Sequence, residues 1–117
     1  MEDQLNVTKD QRDNLLLIAL NGRLDSTTAP AFEQQLMNDI EQGQHHLVFD
    51  CQGLEYISSA GLRVFLMAVK RVKAQQGALA VSGLSSHIRE VFEISGFVAI
   101  LNVVDDLEQA IALCQGA

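Results

Sequence analysis

"HHLVFDCQGLEYISSAGLRVFL", residues 45–66, passes from a short apolar run through two serines into a series of helix formers. "HHLVFDC" (45–51) reads as a strand bounded by polar residues. A helix is predicted from about Ala60 to Gln76, closed by Gly77. The same alternation extends in both directions. Towards the N-terminus, "LNVTK" (5–9) and the more apolar "LLLIALNG" (15–22) flank the turn "QRDN", so the two strands form an antiparallel hairpin. "RLDSTTAP" then carries helix-start punctuation, with Thr27 or Thr28 as cap and Pro30 in the first turn. Phe32, Leu36 and Ile40 recur every four residues as one apolar stripe, and Gly43 ends that helix. Towards the C-terminus, "ALAVSG" (78–83) is a strand, and "SSHIREVFEISG" (85–96) is a helix capped by Ser85 or Ser86 and stopped by Gly96. "FVAILNVV" (97–104) reads as a last strand. The Asp105–Glu108 segment has capping-box spacing before the final helix, "DLEQAIALCQ".

The predicted order is β-β-α-β-α-β-α-β-α. Strands alternating with helices imply right-handed crossovers. The fold class is therefore α/β: a small mixed, mostly parallel sheet with an N-terminal β-hairpin and about four flanking helices. No repeat, low-complexity tract or linker divides residues 1–117, so a single domain is expected.

Composition narrows the function. With 48% hydrophobic and 20% charged residues, the chain can bury a core without metals or disulfides. A net charge of −7 argues against a nucleic-acid partner and against a polybasic membrane anchor. Cys51 and Cys114 form no C-x-x-C pair and are expected as buried, reduced thiols. "MEDQLNVTKDQRD" is not a basic-then-apolar signal, and no apolar run approaches the length of a membrane span. A soluble, cytoplasmic protein without direct membrane insertion is expected.

Catalysis finds little support. A nucleophile elbow needs G-x-S-x-G where this chain offers S-S-A-G, and nothing aims His45, His46 or His87 at a serine. No H-x-x-x-H or H-E-x-x-H pattern and no P-loop is present. The expectation is a protein with no catalytic residues, no cofactor and no metal.

The serines remain. One hydroxyl suffices to cap a helix, yet Ser58 and Ser59 are both present, followed by small Ala60 and Gly61 that leave them uncovered. A helix N-terminus also suits a phosphate, through its free N–H groups and positive dipole end. On the helix that follows, Leu62, Phe65, Leu66, Val69 and Val72 are expected to pack on the sheet. Arg63, Val64, Met67 and Arg71 fall on the opposite side, a mixed face of the kind a docking surface presents.

Three stretches, "LNGRLDSTTAPAFEQQL" (20–36), "LVFDCQGLEYISSAGLRVFL" (47–66) and "IREVFEISGF" (88–97), together resemble the STAS family in its free-standing bacterial anti-sigma factor antagonist form. The resemblance covers nearly the whole chain. It implies a partner switch. A GHKL-type serine kinase, often itself the anti-sigma factor, phosphorylates the antagonist at this helix start, and a PPM-type serine phosphatase removes the phosphate. Only the unphosphorylated antagonist holds the kinase, which then releases its other client. Many members read Asp-Ser-Ser/Thr-Gly here. Anchored on Gly61, Ser58 stands at their Asp and Ser59 at a family hydroxyl, so the resemblance implies phosphorylation at Ser59, with Ser58 as second choice. Asp25 and Asp50 match acidic positions of the family and are expected to shape an acidic mouth around Ser59. With Arg63, Val64 and Met67 they make up the expected partner-binding set. STAS domains also serve sulfate transporters and lipid-transfer complexes, so an accessory role in membrane transport is the alternative. The free-standing form and the serine pair favour the switch.

Overall fold

β2, Leu15–Leu24, is apolar at nearly every position of its first half because both faces of the sheet are covered. Leu16, Ile18 and Leu20 point into one core, while Leu15 and Leu17 point into a second core on the other face. The computed structural model describes residues 4–115. Around β2 the chain runs β1 (Leu5–Arg12), β2, α1 (Ala29–Glu41), β3 (His46–Ile57), α2 (Ser59–Ala74) and β4 (Ala78–Ser82). It continues through α3 (Ser86–Ile94), α4 (Val98–Leu101), β5 (Val103–Val104) and α5 (Leu107–Gln115). The five strands lie in the order β1-β2-β3-β4-β5. β1 pairs antiparallel with β2, and all later pairs are parallel. The mixed, mostly parallel sheet with its N-terminal hairpin is as expected, with five helices among the described residues in place of about four.

Residues of α1, α2, α3 and α4 line the larger core, where the rings of Phe32, Phe49, Phe65 and Phe92 meet with centroids 4.9–6.4 Å apart. α5 covers the other face, setting Ala110 and Cys114 over Leu15, Leu17, Val48 and Ala80.

Three local expectations need correction. "FVAILNVV" is not a single strand: it forms the one-turn helix α4, then Asn102 in the left-handed region (φ 52°), then the two residues of β5. Thr28 occupies the N-cap position of α1 but its side chain does not cap; its hydroxyl donates to the Arg23 carbonyl instead (2.9 Å). α2 ends at Ala74, and Gln76 takes the left-handed turn (φ 60°). Gly77 serves a different purpose, since a Cβ there would stand 1.9 Å from the His45 carbonyl oxygen. Ser85 caps α3 as expected, accepting from Ile88 N at 3.3 Å.

Candidate functional site

The two serines part company in their backbones. Ser58 is extended (φ −99°, ψ 175°) and is the N-cap of α2, its hydroxyl accepting from Gly61 N at 3.3 Å. Its own N–H donates to the Leu24 carbonyl (2.9 Å), tying the start of α2 to the end of β2. Gly61 permits that approach, because a Cβ would lie 2.8 Å from Leu24 Cγ and 2.9 Å from both Ile57 Cγ1 and the Leu24 carbonyl oxygen. Ser59 is the first helical residue, exposed, and its hydroxyl has no hydrogen-bond partner among the described residues.

The Leu24 link brings Asp25 to the serine pair. The Asp25 carboxylate accepts from Thr27 N (3.0 Å) and Thr28 N (3.1 Å), closing the turn into α1. These bonds, led by the one from Thr28 N, hold its carboxyl below the usual range; Arg23, 3.7 Å away, adds to the effect. The Arg23 guanidinium lies over the exposed Tyr56 ring at 4.3 Å, across the β2–β3 pairing.

Asp50 does not join this group. It lies mid-strand on β3, opposite Ala19 of β2 and Ser82 of β4, and its carboxylate accepts from Gln52 N (3.2 Å). Ile57 pairs with Leu24, five residues along β2 from Ala19, a separation of roughly 15 Å at strand rise. Asp50 is thus removed from the expected acidic mouth, while Asp25 follows Leu24, whose carbonyl holds Ser58 N. Val64 is a second correction: only 1% exposed, it belongs to the core. The reason is that α2 packs on α1 as well as on the sheet, so its buried arc reaches further round than a single-faced helix would give. Arg63 is exposed and Met67 half-buried, both on the outer side with Ser59.

A shallow, mostly apolar depression beside Ser59 is lined by Ser59, Leu62, Arg63, Leu66, Ser95 and Phe97. Sequence reasoning missed Leu66, Ser95 and Phe97 as surface features. The spacing of Ser59, Leu62, Arg63 and Leu66 on one helix was available as a signal, but Phe97 lay in the run misread as a strand.

The STAS domain family profile matches residues 6–110, from β1 into α5. The chain belongs to the STAS family. A protein of Bordetella bronchiseptica with the provisional name anti-sigma factor antagonist BtrV is 41% identical over 108 residues, covering 92% of this chain and 93% of that protein. The anti-sigma-B factor antagonist of Bacillus subtilis is 31% identical over 99 residues, covering 85% and 90%. The anti-sigma factor antagonist SpoIIAA of Bacillus has the same fold in two solved structures. Its unphosphorylated form gives a TM-score of 0.76 at 21% identity, covering 96% of this chain and 100% of that one. Its phosphorylated form gives 0.74 at 22% identity, covering 92% and 97%.

Elsewhere this STAS domain offers little for chemistry. Among the described residues no three His, Cys, Asp or Glu side chains are grouped to hold a metal. Cys51 and Cys114 are free and buried. Burial, and then the nearby Asp50 charge, pushes the Cys51 thiol far up, and burial raises Cys114 to about 11, so neither is a thiolate at neutral pH. No described helix is long and apolar enough to cross a membrane.

Proposed function

We propose that this STAS domain, acting as a single domain in the cytoplasm, is an anti-sigma factor antagonist switched by phosphorylation of Ser59. The observation that carries the reading is the division of labour at the start of α2: Ser58 is engaged as the cap, whereas Ser59 is exposed and unbonded. The names of the relatives from Bordetella and Bacillus support it, as does the existence of SpoIIAA in unphosphorylated and phosphorylated forms. The partner is a GHKL-type serine kinase that doubles as the anti-sigma factor, and a PPM-type phosphatase reverses the modification. In the forward step the Ser59 Oγ–P bond forms as the bond from the γ-phosphorus of ATP to its bridging oxygen breaks. ADP leaves, and the hydroxyl proton passes to a base of the kinase. The protein is a substrate and a ligand in this cycle, not a catalyst.

The switch needs no refolding. Phosphate adds about 1.5–2 negative charges at a surface made for close contact. The start of α2 tolerates that charge, through its dipole. The kinase interface does not, because the charge must be desolvated beside Asp25. A loss of about 3 kcal/mol weakens binding roughly a hundredfold. Intact-mass analysis after treatment with kinase and ATP is the test. Wild type and Ser58→Ala gain one phosphate and Ser59→Ala gains none; unchanged labelling of Ser59→Ala would rule out the assignment.

A further inference from the structure

The chain carries eight Lys and Arg residues. Four lie outside α2, and each is ion-paired: Lys9 with Asp39 (2.6 Å), Arg12 with Asp10 (2.9 Å), Arg23 with Asp25 (3.7 Å), and Arg89 with Asp105 (3.0 Å) and Glu93 (3.6 Å). The other four, Arg63, Lys70, Arg71 and Lys73, all lie on α2, all are exposed, and none is ion-paired among the described residues. α2 contains no acidic residue. In a chain of net charge −7, this one helix therefore carries four cations while the remainder is strongly acidic.

The helix's own dipole accounts for part of this. Arg71 and Lys73 lie in the last turn, where cations are favourable. Lys70 lies further in, and Arg63 lies close to the positive end, where a cation gains nothing from the dipole. Glu41 shares a depression with Arg71 but is not ion-paired with it. At 100° per residue Ser59, Arg63, Met67 and Lys70 fall within one narrow stripe, flanked by Arg71 and Lys73. The stripe runs about 21 Å along the helix, from Ser59 to Lys73. It also adjoins the apolar depression at Leu62, Leu66 and Phe97, through Arg63.

We propose that the outer flank of α2 is a docking surface for an acidic face of a protein partner, with Met67 as its apolar centre. Complementary charge selects the occupant: the free cations of this domain are concentrated on one helix flank, and the rest of the surface repels an acidic partner. Identifying that partner with the kinase rests on the proposed function; the preference for an acidic surface does not. The arrangement also couples to the serine. Ser59 and Arg63 stand four apart on the helix and are side-chain neighbours. A phosphate on Ser59 draws Arg63 to itself and places a dianion at the head of the stripe, so the acidic partner loses a cation and meets repulsion together.

The test is an amide-resolved NMR titration of the full chain with a decaglutamate peptide at low ionic strength, with an uncharged Gly-Ser peptide as control. The expected shifts fall on residues 59–74 and vanish at about 0.5 M salt, where screening is short-ranged. Lys70→Glu with Arg71→Glu weakens the interaction at least about tenfold. The milder Arg63→Gln with Lys70→Gln, checked by thermal melts, weakens it in the same direction and guards against a folding defect. Phosphorylated wild type binds more weakly than unmodified wild type. Shifts that avoid α2, or that survive both double variants, overturn the proposal. Tighter binding of phosphatidylserine vesicles or of a decathymidine oligonucleotide also overturns it, by assigning the flank to a membrane or to nucleic acid. The two readings fail separately. An α2 surface that binds decaglutamate in a chain no kinase modifies sinks the switch alone; a working Ser59 switch with a silent α2 sinks this inference alone.

Discussion

Ser58 and Ser59 are chemically identical, and their roles diverge through backbone angles alone. The extended backbone at Ser58 turns its hydroxyl onto Gly61 N, whereas the helical backbone at Ser59 leaves its hydroxyl in solvent. The sequence supplied the pair and the small residues after it; which serine caps depends on which one takes the extended ψ of 175° before the helix begins, and composition does not encode that. Asp25 yields a prediction at this scale. Its carboxyl is held low in the folded state by the N–H groups of Thr28 and Thr27, so the folded protein binds fewer protons than the unfolded chain. That contribution to stability is complete above the ordinary value of 3.8 and is lost as pH falls through the lowered one. Asp25→Asn keeps an acceptor for the same N–H groups but does not titrate. Thermal melts from about pH 6 to about pH 2 should therefore show a shallower acid decline in Asp25→Asn than in wild type. Parallel declines in the two proteins would mean that Asp25 contributes nothing to the acid limb.

At the scale of elements, the hydrophobic periods carried most of the fold. The alternation in β1, the four-residue stripe of α1 and the Gly and Ser punctuation of α3 each specify one structure. Two places were not legible. A run of apolar residues such as "FVAILNVV" fits a buried strand or a buried helical turn equally well. Here the choice falls to tertiary packing, with Phe97 N bonded to the Phe92 carbonyl (3.0 Å) and Leu101 N to the Phe97 carbonyl (2.9 Å). Asn102 then reverses the chain with a left-handed φ of 52° and donates from its side chain to the Leu79 carbonyl (3.0 Å). Asn102→Ala loses both advantages and should cost about 1–2 kcal/mol in denaturant unfolding; an unchanged midpoint would show the turn to be adaptable. Val64 was the second place, since the angular reading set it outside an arc that α1 in fact extends. Val64→Asp should lower stability by at least about 3 kcal/mol, because it buries a carboxylate without a partner. Met67→Asp should leave the melting temperature near wild type and weaken kinase binding more than tenfold. Equal melting losses in the two variants would place Met67 in the core as well.

For the molecule as a whole, the proposed switch requires that folding and binding respond oppositely to one added charge. The start of α2 favours an acid: Ser59 is the first helical residue, where a carboxylate complements the dipole and leaves the Ser58 cap in place, so Ser59→Asp should change stability by less than about 1 kcal/mol. The partner surface reads the same charge in a different setting. There it sits at the head of a stripe that begins with Arg63, and contact with a partner removes the water that screens it in the free protein. Kinase affinity should therefore fall sharply while the thermal melt barely moves, a split that a structural defect cannot produce. Calorimetric titration against the kinase, paired with melts of the same samples, measures both. Because aspartate carries less charge than phosphate, the enzymatically phosphorylated protein gives the stricter comparison, with a loss near a hundredfold. If that species binds its kinase as tightly as the unmodified chain, Ser59 is only the first residue of a helix and the switch must be abandoned.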